Sequence, residues 1–585
     1  MPPIGSPYTR EVVIALAAVV LIHNLLPSIW SAPSHTMAVD LSWYAPAASL
    51  INNLTNVVSD TGVYGFIYNS STTPDSEYGT YNWCNMPHVR EDIYTTPSSD
   101  YELAYVELIH RHHKRTPYAS NSFPVESYQW NCTDEGLFYF GRAFGDDEPQ
   151  PAETYWKVYT SPINPFIPSG FLGDCQFPQI TAEGLEDSFQ HGADLYAVYH
   201  DVLGFLPDRA DAAWRDQVAY RVTTNQITSQ VAGMIVSGMF DTTDQVPLAV
   251  QQSTVDSLEP VYSCPSSSNA YNAIKSTSNP AWAEHLEAAA PLYAVLDDIS
   301  GVSPTDSGFH SWMDHYYDNL SARQCHAKPL PCKLVDGVNS TTCVTQAEAE
   351  EVYRFGNWEY SRLYRDEQAS LAASAASMGV WFAELASHLR AVKDGSSDSV
   401  RWRHNVAHDG SVSRVLSVLQ ADTMVWPGMG SEVVFEVYKK KAATATTATT
   451  TAAPTATKEC NRNNCFGQMF ASSASASAFC PTFTAAPTQT VPAWLNNCKG
   501  DASAVSSACS CVVTATASAS ASAVPSAAPV SDSGYYVRVL FSGTVFKSSN
   551  PSLGVMDMLP VETLLAYLDG LVGVDASLVK AKCNA

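Results

Sequence analysis

Apolar and polar positions along this chain follow two periods. Val106-Glu107-Leu108-Ile109 is a short, nearly continuous apolar run of the kind a buried strand presents, and Pro117 ends any regular element soon after it. Val433-Val434-Phe435-Glu436-Val437-Tyr438 and Tyr535-Tyr536-Val537-Arg538-Val539-Leu540 read as two further strands. Helical spacing governs Ile227, Val231, Ile235 and Met239, and again Val412, Val415, Leu416 and Leu419. Longer helical stretches are predicted at 281–299, 309–320 and 347–389. Strands that each hand over to a helix define an α/β core.

Two regions fall outside that core. Val12 to Ile22 is wholly apolar, with Arg10 before it and Pro27 after it. It is too short to span a bilayer comfortably and reads as a secretory signal occupying residues 1–34. Residues 442–533 are dominated by Ala, Ser and Thr, as O-glycosylated linkers are, around a stretch holding Cys460, Cys465, Cys480, Cys498, Cys509 and Cys511. Because predicted strands flank it, this Cys-rich disulfide insert belongs in the tip of a late hairpin, where loop-closure cost grows only slowly with length.

Composition adds a compartment. The other eight cysteines (Cys84, Cys132, Cys175, Cys264, Cys325, Cys332, Cys343, Cys583) are also an even set, which suits disulfides in an oxidising setting, and a local bridge from Cys325 to Cys332 fits their short spacing. Asn-x-Ser/Thr sequons begin at Asn53, Asn69, Asn131, Asn319 and Asn339, so N-linked glycans are expected on a secreted, extracellular protein. A formal net charge of -26 argues against nucleic acid or an anionic membrane as partner.

The chemistry centres on Arg111-His112-His113-Lys114-Arg115-Thr116-Pro117, at the exit of the first predicted strand. Guanidinium forks match phosphate oxygens, and a neutral imidazole can attack phosphorus. The stretch resembles the Arg-His-Gly-x-Arg-x-Pro signature of the histidine acid phosphatases, the family of secreted acid phosphatases and phytases. His113 stands where that family has Gly, so either the backbone there needs no positive φ or a bulky side chain has reshaped the site. Tyr220-Arg221-Val222-Thr223-Thr224 looks like the family's Arg-Ser-Thr segment, and Ala407-His408-Asp409 is similar to its Ala-His-Asp motif. Ile180-Thr181-Ala182-Glu183-Gly184 resembles its Leu-Thr-x-x-Gly helix start, whereas Ile227 replaces a second Arg that many members carry.

The resemblance implies a mixed central sheet with helices on both faces and a largely helical cap. Its parts would be an α/β core at 35–244, 396–441 and 534–585, with the cap at 245–395. It implies His112 as nucleophile and Asp409 as proton donor, with Arg111, Arg115, Arg221 and His408 binding phosphate. His113 and Lys114 are expected at the substrate pocket. Asp409 opens a helix, which lowers its pKa, while a bound dianion would raise it again. No metal and no organic cofactor is expected: His110 and His112 alternate as some metal ligands do, but Arg111, Lys114 and Arg115 would repel a dication.

The substrate expected is a small phosphomonoester. Residues 245–395 carry nine basic against eighteen acidic side chains, a poor surface for highly phosphorylated inositol. Two alternatives stay open: a phytase-type inositol phosphate phosphatase, and a catalytically altered secreted protein that binds phosphate for signalling.

Overall fold

The central strand β1 (Tyr101–Arg111) is buried on both faces from Tyr105 onward, as its unbroken apolar run implies. It belongs to a computed structural model that describes residues 39–63, 81–126, 128–132, 138–139, 154–159, 161, 163–167, 173–441 and 533–585, with Val505 and Cys509. The expected signal segment, the Asn69 sequon and the Ala/Ser/Thr-rich insert lie outside the described residues. Residues 36–441 and 531–585 form one compact unit.

Strands of the central sheet are numbered along the chain: β2 (Val218–Val222), β3 (Leu248–Val250), β4 (Trp402–Ala407), β5 (Glu432–Lys440), β6 (Tyr535–Phe541), β7 (Thr544–Val545) and β8 (Leu559–Pro560). Their order is β7-β6-β5-β1-β4-β2-β3, with β8 beside β6. Strands β1, β4, β2 and β3 run parallel, and β5 is antiparallel to both β1 and β6. The sheet is therefore mixed. Strands β5 and β6 pair from Val433–Phe541 to Lys439–Tyr535, so residues 441–534 connect two hydrogen-bonded neighbours.

Alternation along the strands makes two cores. Val106 and Leu108 join Tyr220, Val222, Val406 and Val434 against α1 (Ala182–Tyr196) and α2 (Gln226–Phe240). Ile227, Val231, Ile235 and Met239 are the buried stripe of α2, as their spacing predicts. Tyr105, Ile109, Ala407, Val433 and Phe435 face the other way, into a larger core built with α3 (Pro280–Ser300), α4 (Asp314–Cys325), α5 (Gln346–Ser361), α6 (Gln368–Ser377), α7 (Gly379–Asp394), α8 (Asp409–Val418) and α9 (Val561–Val572). Helices thus cover both faces, and residues 245–395 supply the helical layer α3–α7.

Three details differ from the sequence reading. The helical stretch expected over 309–320 is two helices, Ser307–His310 and Asp314–Cys325, with a break at Ser311–Met313. The helical stretch expected over 347–389 is three helices, because the chain widens into a π turn at Arg362–Asp366, becomes extended at Glu367 (φ -95°, ψ 139°) and breaks again at Met378. Cys325 does not bridge to Cys332. The pairs are Cys84–Cys325, Cys132–Cys175, Cys264–Cys583 and Cys332–Cys343, because Cys325 ends a helix facing the Cys84 segment while Cys332 and Cys343 sit opposite each other in a hairpin. No single helix among the described residues is long and apolar enough to cross a membrane.

Candidate active site

Two parallel strands end side by side and deliver the chemistry. Arg111 lies opposite Ala407 at the ends of β1 and β4, and the His112 amide donates to the Ala407 carbonyl at 3.1 Å. His408 and Asp409 follow immediately, His408 as N-cap of α8 and Asp409 in its first turn. Parallel pairing therefore places two segments almost 300 residues apart in one cluster.

Strand alternation decides where each side chain of the first motif goes. Arg111 follows Tyr105 and Ile109 to the side of the larger core, where its guanidinium stacks 4.4 Å above the Trp83 ring. It donates to the Pro427 carbonyl at 2.6 Å and sits 3.2 Å from Asp409 Oδ2. Arg115 stacks 4.2 Å over Tyr118 and is paired with Asp318 of α4 at 3.0 Å. Both guanidinium groups keep a buried Nε–H with no hydrogen-bond partner among the described residues. These aromatic and carboxylate supports fix two forks of donors in place.

His112 lies between them, only 1% exposed. Its Nδ1 is 2.9 Å from the His113 carbonyl, an acceptor only, so Nδ1 carries the proton and Nε2 keeps its lone pair. Burial above all, and then the charges of Arg115, Arg111 and His408, push its pKa well below the ordinary histidine range. The ring lies 5.5 Å from that of His408, whose Nε2 is 3.0 Å from Thr223 Oγ1 and 3.4 Å from Glu259.

Asp409 accepts from Trp426 Nε1 at 2.9 Å and from the Tyr360 hydroxyl at 3.3 Å. Burial pushes its pKa up, but Arg111, the Trp426 hydrogen bond, Arg115 and His408 together outweigh that and hold the carboxyl below its ordinary value. Glu259 is a second acid at the cluster. Burial opposes its ionisation, and the His408 hydrogen bond and charge hold it in the anionic form.

Five of the residues singled out in the sequence thus converge: Arg111, His112, Arg115, His408 and Asp409. Three do not. Arg221 emerges from β2 opposite Asn405, on the face away from Tyr220 and Val222, and its guanidinium is taken by Glu384 (2.8 Å), Asp256 (3.1 Å), Gln251 and Ser257. Thr223, two residues on and just past the end of β2, is what meets His408 instead. His113 turns away from the pocket towards α1, where Ser188 and His191 bond its ring. Lys114 is buried against Asp187 of α1 at 2.6 Å. His113 also does not take up a positive φ. The glycine that this packing demands lies across from it at Gly430, whose φ is +74° and where a Cβ would come within 2.7 Å of His113 Nε2.

Trp83, Tyr118, Thr223, Glu259, Asp318, Tyr360 and Trp426 were not singled out in the sequence. All but Thr223 lie outside every quoted motif, and they arrive from seven separate places along the chain. Only Thr223 had a signal, as part of the segment quoted for Arg221.

A mixed α/β sheet whose parallel strands end in an arginine- and histidine-lined cluster is the class these observations define. The chain is 24% identical over 367 residues to counting factor 60 of Dictyostelium discoideum, covering 61% of this chain and 80% of that protein. Among solved structures it is similar to the phytase of Klebsiella sp ASR1 (19% identity, TM-score 0.37, 59% of this chain and 80% of that one). It is similar as well to the phytase of D. castellii (14%, 0.36, 84% of each) and to the multiple inositol polyphosphate phosphatase of Bifidobacterium longum (11%, 0.34, 62% and 88%). No family model matches the chain.

Proposed function

We propose that this chain is a secreted phosphatase of the histidine type that hydrolyses small phosphate monoesters through a phosphohistidine. The observation that carries the reading is His112: its Nδ1–H is committed to a backbone carbonyl, and its free Nε2 lies among two stacked arginines, His408 and Asp409. Nε2 attacks phosphorus as the P–O ester bond breaks. The His113 carbonyl steadies the positive imidazole, Arg111 and Arg115 take the phosphoryl oxygens, and His408 takes another. Asp409 gives its proton to the departing alcohol. A water then attacks phosphorus as the P–Nε2 bond breaks, the Asp409 carboxylate takes the water's proton, and His112 leaves as neutral imidazole.

Asp409 is anionic in the free protein, so its role as donor depends on substrate. As Arg111 turns from the carboxylate to phosphate, the dianion takes its place beside Asp409 and raises the carboxyl's proton affinity. An acid optimum follows. With Arg221 and Lys114 tied to carboxylates, and Glu259 and Glu384 nearby, the surroundings favour one phosphate over many.

The test is hydrolysis of an aryl phosphate between about pH 3 and about pH 7 with chelator present. His112→Ala should lose about 10³-fold or more and Asp409→Asn about 10²-fold. Phytate should compete poorly. Full activity in His112→Ala would sink the mechanism. One observation favours a second reading, binding without turnover: Asp318 already holds Arg115, and Arg221 is diverted, which leaves the cluster short of cationic charge. A folded wild type that binds phosphate but shows no hydrolysis would select it.

A further inference from the structure

Behind the nucleophile, on the opposite face of β1, lies a cluster of histidines the proposed chemistry does not use. His110, His113 and His191 are fully buried, and one ring nitrogen from each lies within 4.8 Å of the others. In each ring the other nitrogen is engaged outward. His110 Nδ1 is 2.8 Å from the Arg111 carbonyl, which can only accept. His113 Nδ1 is 3.0 Å from Ser188 Oγ, whose single proton goes to the Gly184 carbonyl at 2.7 Å. His191 Nε2 is 3.0 Å from Glu432, which also accepts the Val89 amide at 2.6 Å.

Counting protons exposes the conflict. If the outward nitrogens carry the protons, then His110 Nε2, His113 Nε2 and His191 Nδ1 all point lone pairs at one another, and His113 Nε2 meets His191 Nδ1 at 3.2 Å. Moving the proton on the His191–Glu432 pair to the carboxyl would let His191 Nδ1 donate to His113, yet His110 Nε2 would still be buried without a partner. A cation shared by three lone pairs satisfies all of them at once.

We propose that His110, His113 and His191 hold a zinc-type divalent cation. The outward bonds are the second shell that metal-ligating histidines require: a backbone carbonyl, a hydroxyl and a carboxylate, each fixing one tautomer. Zinc–nitrogen bonds of about 2.0–2.1 Å put tetrahedral ligand nitrogens about 3.3 Å apart, close to the 3.2 Å between His113 and His191, and the His110 nitrogen, within 4.8 Å of both, draws in to complete the set. Neutral imidazoles suit zinc over calcium or magnesium, which take oxygen ligands. Charge is also provided for. Glu432 faces the triad, Asp194 lies beyond it on His88, and the nearest ammonium, Lys114, is neutralised by Asp187. In the sequence, His110 and His112 form the alternating pair; in the fold, His112 leaves that pair and His113 replaces it. The ion would clamp the 110–113 segment to α1, with a water completing its fourth position.

The test uses the intact secreted protein and does not depend on any phosphatase activity. Protein purified without an affinity histidine tag and passed through chelator should carry about one zinc per chain by mass spectrometry of the metal. X-ray absorption at the zinc edge of that wild-type sample should show imidazole ligands. His110→Asn and His191→Gln should each lower the content at least about tenfold. Overturning results are a folded wild type with no bound metal and no rise in melting temperature after prolonged incubation with Zn²⁺, an oxygen-only shell, or undiminished zinc in the folded double variant.

Discussion

His113 shows how much a single side chain can mislead when only its neighbours in sequence are visible. Beside Arg111 and His112 it reads as part of the pocket, yet it packs with His110 and His191 against α1, with Gly430 making room for it. Placing glycine at this position should therefore not improve the proposed activity. His113→Gly leaves a cavity among buried polar rings, and a loss of about 2–4 kcal/mol is expected in urea unfolding, with no gain in kcat. An unchanged midpoint would show that the ring contributes nothing to the core. Asp318 is the reverse case, a residue with no sequence signal that orders the site. It accepts from Arg115, from the Tyr118 amide and from Asn121, and so holds both the guanidinium and the loop that carries it. Asp318→Ala should cost about 10- to 100-fold in kcat/KM for an aryl phosphate, because misplacing a binding group by about an ångström does so. If Arg115 positions itself, the variant will match wild type.

At the level of elements, what could be read from the sequence was whatever repeats locally. The core of β1 at 106–109, the buried stripe of α2 and the start of α8 follow from periodicity, and the α/β class follows from their order. The convergence of Arg111, His112, Arg115, His408 and Asp409 was legible because each sits in a compact motif at a strand end. The fate of Arg221 was not. Its partners Asp256 and Glu384 are 35 and 163 residues away, so nothing near it in sequence reveals that its charge is already taken. Three-helix division of 347–389 was hidden too, since no proline or glycine marks the turn at Arg362–Asp366. One element contact is open to a direct test. Gly184, in the first turn of α1, lets that helix press on the motif loop, and a Cβ there would fall 2.1 Å from the Lys114 carbonyl. Backbone cannot retreat as a side chain can. Gly184→Ala should lower stability by about 2–3 kcal/mol and weaken activity as the loop shifts. A variant with wild-type melting temperature would mean that α1 is free to slide.

Over the whole molecule, surface and core make separate predictions. Of the sequons, Asn53, Asn131 and Asn339 are exposed, whereas Asn319 is buried in α4, bonding the Asn121 carbonyl and Arg323. Glycopeptide mapping of protein from a eukaryotic secretory host should find glycan at the first three and none at Asn319; occupancy there would contradict this packing of α4. The response to pH can be isolated at Asp366. Burial raises its pKa from 3.8 to about 6 against the opposing pull of Ser361, Arg362 and Asn52. The sign follows from linkage: an acid with a raised folded pKa binds its proton more tightly when folded, so its contribution is fully present below about pH 3.8 and is lost as pH rises through about 6. Asp366→Asn mimics the protonated form at every pH. The variant should match wild type near pH 4 and exceed it near pH 7 by on the order of 1–3 kcal/mol, since each pKa unit is worth about 1.4 kcal/mol. The measurement is the difference in melting temperature between the two proteins across that range. A difference that stays flat would mean Asp366 ionises as freely in the fold as out of it. A rising one would identify a buried carboxyl that favours the folded state in acid, where the proposed phosphatase is expected to work.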